Sequence, residues 1–380
     1  MEWKIPLFST YFDQDDLDAV NKVIKRGTYW ATGPEIEQLE KKTAEYIGTK
    51  HALSFNSGTS ALHCLLLAYN LKGSEVIVPS FSFIATANAV VLAGATPIFA
   101  ESEEETFGLD FEDVKKRITP KTKAIIPLHY GGCVSRDIKK IQELCFQNNL
   151  LLLDDAAESL GAGINGEKVG SFSDASMFSL CQNKIISAGE GGLVVTSNTK
   201  VYEKMKLLRS HGRFEKENTD YFSSIDEPDY LELGYNFRLP TMSAALALSQ
   251  LNKIKTLIEL RQKNAAYFNQ SFKDIPEITR PLPPSGFDHF YQMYTIILPD
   301  ETIRNQLQQF LITKGIQTRP YFHPIHLKTF YSRNYGYSEG NYPRTEQLAK
   351  RVLTLPMSAT LNLEQLDYIC SSVKSFFGRD

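Results

Sequence analysis

Between residues 51 and 196 the chain alternates short apolar runs with segments long enough to be helices. The runs at 51–55, 76–79, 96–100, 124–130, 150–155, 175–179 and 192–196 are mostly apolar throughout and do not alternate with polar residues, which marks strands buried on both faces. Seven such runs, joined largely by helical segments, predict an α/β fold built on a mostly parallel seven-stranded sheet with helices on both sides. In sheets of this kind ligands gather beyond the carboxyl ends of the strands.

Helical periodicity flanks this region. Over 15–26 it places Leu17, Val20, Val23 and Ile24 on one face, and Pro34 opens a second helix over 35–47, with Pro at a tolerated first-turn position and carboxylates near the positive helix end. The intervening loop, 27–34, carries Tyr29 and Trp30 between glycines, suited either to lining a pocket or to packing the helix onto the body. Residues 241–272 bear an apolar stripe of Leu246, Leu248, Leu251, Ile254, Leu257 and Ile258, and predict one or two long helices connecting a large domain, 1–250, to a smaller α+β domain, 251–380. In the smaller domain the pattern predicts strands at 293–298 and near 316–322, and helices at 301–314, 345–352 and 363–376. Residues 212–235 show little periodicity and are expected to run over the surface or over a partner subunit.

Composition narrows the classes. With 42% apolar residues, 22% charged residues and a net charge of -3 over 380 residues, the chain carries no bias toward polyanions or membranes. The first six residues lack the apolar core of a signal peptide, and no apolar run approaches the ~20 residues of a membrane-spanning helix. A cytoplasmic protein without nucleic-acid or membrane partners is therefore expected. Five scattered cysteines without CxxC spacing argue against a disulfide framework or a zinc site, and Pro324 breaks the HxxH of His323 and His326, so no metal is expected.

Candidate chemistry gathers at the strand ends. Asn56-Ser57-Gly58-Thr59-Ser60 follows the first strand and leads into a helix, where small residues and backbone N–H groups suit a phosphate. Phe83 follows the second strand, placed either to stack on a planar group or to fill the core. Asp154 and Asp155 close an apolar strand, where the desolvation cost of a carboxylate calls for a cationic ligand or hydrogen-bond donors; one of the two is expected to face a ligand. Ser179 ends the sixth strand, and Lys184 lies in the small-residue loop Cys181-Gln182-Asn183-Lys184-Ile185-Ile186-Ser187-Ala188-Gly189-Glu190-Gly191-Gly192, a setting suited to covalent cofactor chemistry.

Taken in order, these segments, with Phe81 to Asn88, Asp155-Ala156-Ala157-Glu158, Gly234-Tyr235-Asn236-Phe237-Arg238-Leu239 and Arg319-Pro320-Tyr321-Phe322-His323-Pro324-Ile325-His326, resemble the DegT/DnrJ/StrS family of sugar aminotransferases over nearly the whole chain. The resemblance implies the fold type I architecture of pyridoxal phosphate enzymes. It implies that Lys184 holds pyridoxal 5′-phosphate as an internal Schiff base and later moves the proton, while Asp155 keeps the pyridine nitrogen protonated. Gly58, Thr59 and Ser179 would hold the phosphate, Phe83 would cover one face of the ring beside Ala157, and Asn236 would reach the phosphate from a neighbouring subunit, which requires a homodimer. Glu158 stands where the family places a group against the ring's phenolic oxygen. Arg319 and His326 would either meet the substrate or serve the small domain structurally. The implied reaction moves an amino group from L-glutamate, by way of pyridoxamine phosphate, to a nucleotide-linked 4-keto-6-deoxy sugar. The 319–324 and 234–239 segments are most similar to GDP-perosamine synthase-like members, which favours GDP-4-keto-6-deoxymannose over dTDP- or UDP-linked sugars. The alternatives are a dehydratase or lyase on the same fold and a non-catalytic ligand-binding homologue. Family dehydratases carry histidine in place of the lysine, so Lys184 favours transamination.

Overall fold

The structure, a computed structural model, describes residues 3–214 and 228–379. The central strands are β1 (His51–Phe55), β2 (Glu75–Pro79), β3 (Thr96–Ala100), β4 (Thr122–Ile125) and β5 (Leu151–Asp155), followed by the two-residue strands β6 (Gly163–Ile164) and β7 (Glu167–Lys168), then β8 (Ala175–Ser179) and β9 (Gly192–Thr196). Seven of them form one sheet in the order β1-β9-β8-β5-β4-β2-β3. All neighbours pair in parallel except β9, which runs antiparallel between β1 and β8.

Strand side chains alternate between two cores, as the twofold repeat of a strand requires. Leu53, Phe55, Val76, Val78 and Leu153 meet one core, and Ile77, Ile125, Leu152 and Val195 the other. Helices α1 (Gln14–Arg26) and α2 (Pro34–Ile47) precede the sheet, α3 (Gly58–Ala68), α4 (Ala85–Leu92), α5 (Phe111–Arg117) and α6 (Ile138–Asn148) follow β1 to β4 in turn, and α7 (Thr199–Arg209) follows β9. The first core takes Leu62, Leu65 and Leu66 of α3, each wholly buried, with Val90 of α4 and Met205 of α7. Each such leucine contributes about 1.5–3 kcal/mol of transfer free energy. The second takes Leu39 of α2, Ile141 of α6 and Leu251 of the helix α8 (Thr241–Asn252).

In α1 only Val23 of the expected apolar face is buried; Leu17 and Ile24 are about half exposed in the single chain. The long helical stretch breaks at Lys253, between α8 and α9 (Ile254–Ser271). There Lys253 leaves helical geometry, and its ammonium pairs with Asp13 and Asp16 at the start of α1, tying the break to the N-terminal helix.

The C-terminal part adds β10 (Phe287–Asp288), which joins β6 and β7, and an antiparallel pair, β11 (Tyr294–Ile297) with β12 (Val352–Leu355). The pair packs against α9, α10 (Glu301–Thr313) and α13 (Leu363–Phe376) through Phe268, Phe272, Tyr294, Leu307, Leu311 and Ile369, and Ile5 joins this third core. Two short helices, α11 (Thr329–Tyr335) and α12 (Pro343–Arg351), lie between. Two expectations fail here. Residues 316–322 form no strand, only single bridges from Ile316 to Ile5 and from Arg319 to Thr354, since Pro320 has no N–H to extend a ladder. The helix expected to reach 352 ends at Arg351, and Val352 opens the strand that pairs with β11.

Residues 215–227, within the aperiodic 212–235 stretch, lie outside the described residues. Their flanks are bridged, Arg213 to Tyr230 and Ser210 to Asn236.

Candidate active site

The carboxyl ends of β1, β2, β5 and β8 open onto one cavity of about 370 Å³. Because β9 is antiparallel, its first residue arrives at the same edge, so the loop that leaves β8 returns without a crossover. That loop carries Lys184. It is closed at its neck by Leu180 N–H to the Gly191 carbonyl and Ala188 N–H to the Leu180 carbonyl, both 2.9 Å, and anchored by the buried Ile185 and Ile186. Lys184 is thereby aimed into the cavity with its side chain 12% exposed.

Its partner is Glu158. Lys184 Nζ lies 3.2 Å from Glu158 Oε1, while Glu158 Oε2 accepts the Gly131 N–H at 3.0 Å. Glu158 therefore points at the lysine and at a backbone donor, which compensates its burial.

The acidic pair separates as strand alternation requires. Asp155 faces the cavity; Asp154 points to the opposite face, wholly buried, where Ser173 and Ser176 donate to its Oδ2 at 2.5 and 2.7 Å. Asp155 Oδ2 accepts Thr86 Oγ1 at 2.6 Å and its Oδ1 accepts the Ala157 N–H at 3.1 Å. Burial pushes its carboxyl above the usual range, an effect the Thr86 bond opposes.

Across the cavity, Ser57 caps α3 by accepting the Ser60 N–H at 3.0 Å, leaving Gly58 and Thr59 in the first turn of the helix. A Cβ on Gly58 would stand 3.2 Å from Met177 Sδ and 3.4 Å from Ser179 Cβ, so a side chain there would crowd the cradle. Gly192 allows the same approach from below, since a Cβ there would meet the Ser57 carbonyl at 2.5 Å. The cradle of helix N–H groups and hydroxyls suits a phosphate, the buried acid suits a protonated ring nitrogen, and the lysine amine suits an aldehyde. The residues present thus fit pyridoxal phosphate. Phe83, 60% exposed, and Ala157 border the space between them.

Arg319 also lines the cavity, with its guanidinium 4.9 Å from the Tyr321 ring centroid and Nη1 donating to Tyr321 Oη at 3.2 Å. His326 is not brought there. It is wholly buried, with Nδ1 2.6 Å from Ser80 Oγ and Nε2 3.0 Å from Glu346 Oε1, and it links the segment after β2 to α12. Asn236 is exposed and outside the cavity of its own chain; its carbonyl accepts from Asn56 Nδ2 at 3.2 Å. Cys181, Glu190, Tyr321 and Phe322 line the cavity without having been singled out. Proximity in sequence to Lys184 and Arg319 was the one available signal for them. No group of three or more potential metal ligands occurs among the described residues, and no described helix is long and apolar enough to cross a membrane.

A mostly parallel α/β sheet with a lysine, an acid and a phosphate cradle at its strand ends defines a pyridoxal phosphate-dependent transferase. The chain belongs to the DegT/DnrJ/EryC1/StrS aminotransferase family, whose profile matches residues 10–374. It is 34% identical to the GDP-perosamine synthase of Caulobacter vibrioides, covering 97% of both chains. It is also 34% identical to the UDP-4-amino-4,6-dideoxy-N-acetyl-beta-L-altrosamine transaminase of Helicobacter pylori, covering 96% of both. The structure of Helicobacter pylori PseC, an aminotransferase involved in the biosynthesis of pseudoaminic acid, superposes with a TM-score of 0.91 at 32% identity over 100% of both chains.

Proposed function

We propose that this aminotransferase moves an amino group from L-glutamate to C4 of a nucleotide-linked keto-6-deoxy sugar, with GDP-4-keto-6-deoxymannose the favoured acceptor, and that it works as a cytoplasmic homodimer. The observation that carries the chemistry is the placement of Lys184, Asp155 and the Gly58 cradle on one cavity. The choice of GDP rests on GDP-perosamine synthases from three organisms at 32–34% identity over 97–98% of this chain. The altrosamine transaminase at 34% supports a UDP-linked acceptor as the second reading.

Bound in the cavity, pyridoxal phosphate supplies the carbonyl carbon that exchanges the amino group and a ring that accepts electrons. Gly58, Thr59 and Ser179 hold its phosphate by backbone and hydroxyl donors, and Phe83 and Ala157 set the plane of its ring. Asp155, ionised, holds a proton on the ring nitrogen. Lys184 would hold the cofactor through its amine and, when that amine is free, would serve as the base that moves a proton at the reacting carbon. Glu158, 3.2 Å from Lys184 Nζ, would face the lysine's amine whenever it is not bound to the cofactor. Arg319, reaching the cavity from the proposed small domain, 251–380, is the cation on the substrate side of the large domain, 1–250, and offers a planar fork to a carboxylate or phosphate. Asn236 is assigned to the phosphate of the partner subunit's site.

The test is a panel of GDP-, dTDP- and UDP-linked 4-keto and 3-keto sugars incubated with glutamate and read by mass spectrometry. Amination of the GDP-linked 4-keto sugar with release of 2-oxoglutarate is the expected result. Turnover confined to a UDP-linked sugar transfers the assignment to the second reading. Light scattering that shows an active monomer refutes the shared site.

A further inference from the structure

The acid at the end of β5 is held by a side chain outside the cavity lining. Thr86, in the first turn of α4, is wholly buried, and its Oγ1 lies 2.6 Å from Asp155 Oδ2. Behind it, Ser82 Oγ lies 2.7 Å from Thr86 Oγ1, and the Phe83 carbonyl oxygen lies 3.1 Å away. The Thr86 hydroxyl has one proton and two lone pairs. With Asp155 ionised, that proton goes to the carboxylate, at the length of a charge-assisted O–H···O⁻ bond, and Ser82 donates to Thr86. With Asp155 neutral, the carboxyl proton points at Thr86 Oγ1 and the Thr86 proton turns to the Phe83 carbonyl. Both states leave every one of these oxygens partnered, so Asp155 can gain or lose a proton without a buried group being stranded.

We propose that Thr86 is a positioning residue for the transamination, which holds Asp155 ionised and oriented toward the cofactor's ring nitrogen through the chain Ser82–Thr86–Asp155. The proposal rests on the assignment of Asp155 to that nitrogen. Two other charged groups bear on Asp155: Glu158, from the turn after β5, and Lys184, from the loop between β8 and β9. The His129 ring, after β4, faces Asp154 instead, with Nε2 3.4 Å from Asp154 Oδ1. Neither α4 nor β8 carries a charged residue. Burial raises the Asp155 carboxyl, and among the influences that lower it the Thr86 bond comes first, ahead of the Ala157 N–H and Lys184. Glu158 and Lys184 are the same in any variant at position 86, so the loss of the hydroxyl is read in isolation.

The experiment measures the dissociation constant of pyridoxal 5′-phosphate from protein stripped and reconstituted, by equilibrium dialysis between pH 5.5 and 8.5, for wild type, Thr86→Val, Thr86→Ser and Asp155→Asn. Loss of a hydrogen bond to a charged group is expected to weaken binding of Thr86→Val about tenfold or more at the acid end. The acid limb of its affinity curve should move to higher pH, so that the gap from wild type narrows as pH rises, and Thr86→Ser should restore the wild-type curve to within about threefold. A packing role alone would weaken Thr86→Val by one factor at every pH, and that outcome, or an unchanged curve, overturns the proposal. If Asp155→Asn also binds like wild type, the assignment of Asp155 falls with it; if only Asp155→Asn is impaired, the assignment stands and the Thr86 role alone fails. Should Thr86→Val not fold by circular dichroism, Ser82→Ala replaces it, with a shift of about threefold in the same direction expected and an unchanged curve again overturning the proposal.

Discussion

Removing the amine of Lys184 from cofactor-free protein leaves Glu158 facing a lost partner, and the size of the effect follows from the geometry. The two side chains are 12% and 7% exposed and their charges lie 3.2 Å apart. Breaking a buried ion pair by deleting one partner costs about 3–5 kcal/mol. Glu158 keeps its bond to the Gly131 N–H, and the adjoining cavity of about 370 Å³ admits water to its other oxygen. The cost of Lys184→Ala should therefore fall to about 2–3 kcal/mol. Glu158→Gln keeps an acceptor for Gly131 and should cost about 1–2 kcal/mol. In the double variant neither charge remains, so its cost should fall short of the sum by about 1.5 kcal/mol. Urea unfolding of the four cofactor-free proteins, followed by circular dichroism, gives the cycle, and exchange of the Gly131 amide reports whether the Glu158 bond survives. Costs that add to within about 0.5 kcal/mol would show that the pair contributes no coupling and refute the reasoning.

Three further outcomes are expected. Asp155 is raised by burial, so in cofactor-free protein its ionisation opposes folding: the folded carboxyl binds its proton more tightly than the unfolded one, and stability falls as pH rises from the unfolded value of 3.8 through the folded one. Asp155→Asn should accordingly be at least as stable as wild type at pH 7 to 8, with the difference shrinking toward pH 4 in urea melts, while its turnover is severely reduced. Gly58→Ala should weaken cofactor affinity about tenfold or more with little change in stability, because the added Cβ enters the cradle beside Met177 and Ser179; dialysis checks it. His326→Ala should lower the urea midpoint, because the wholly buried ring leaves a cavity and its bonds to Ser80 and Glu346 are lost, yet leave the KM for the sugar nucleotide unchanged in steady-state kinetics, since the ring does not reach the cavity.

The sheet was legible because its strands are buried on both faces, and unbroken apolar runs are the direct imprint of that burial. The direction of β9 was not, since Gly192–Thr196 is equally apolar whichever way it runs. The apolar pattern alone did not separate Asp154 from Asp155, and only the family resemblance singled out Asp155; which one faces the cavity depends on the phase of strand alternation, fixed by packing of Leu152 and Leu153 into opposite cores. The C-terminal part was harder to read. The β-prone residues 316–322 surround Pro320, while β12 follows directly on a helix without a turn residue at Arg351 to announce it. The contact of Thr86 with Asp155 was not legible, because a threonine in an Ala-rich helix reads as filler until the fold carries β5 beside it.

The reversal of β9 bears on how this scaffold changes over evolutionary time. The Lys184 loop begins and ends on two adjacent strands, with Ser179 and Gly192 in register at its neck. Residues at its tip can be exchanged without altering a crossover, a helix or the order of the sheet. The acid on β5 and the cradle on α3 belong to other parts of the chain and stay in place. The residue at position 184 can therefore vary without a change in the order or direction of the strands, at the energetic cost of its contact with Glu158.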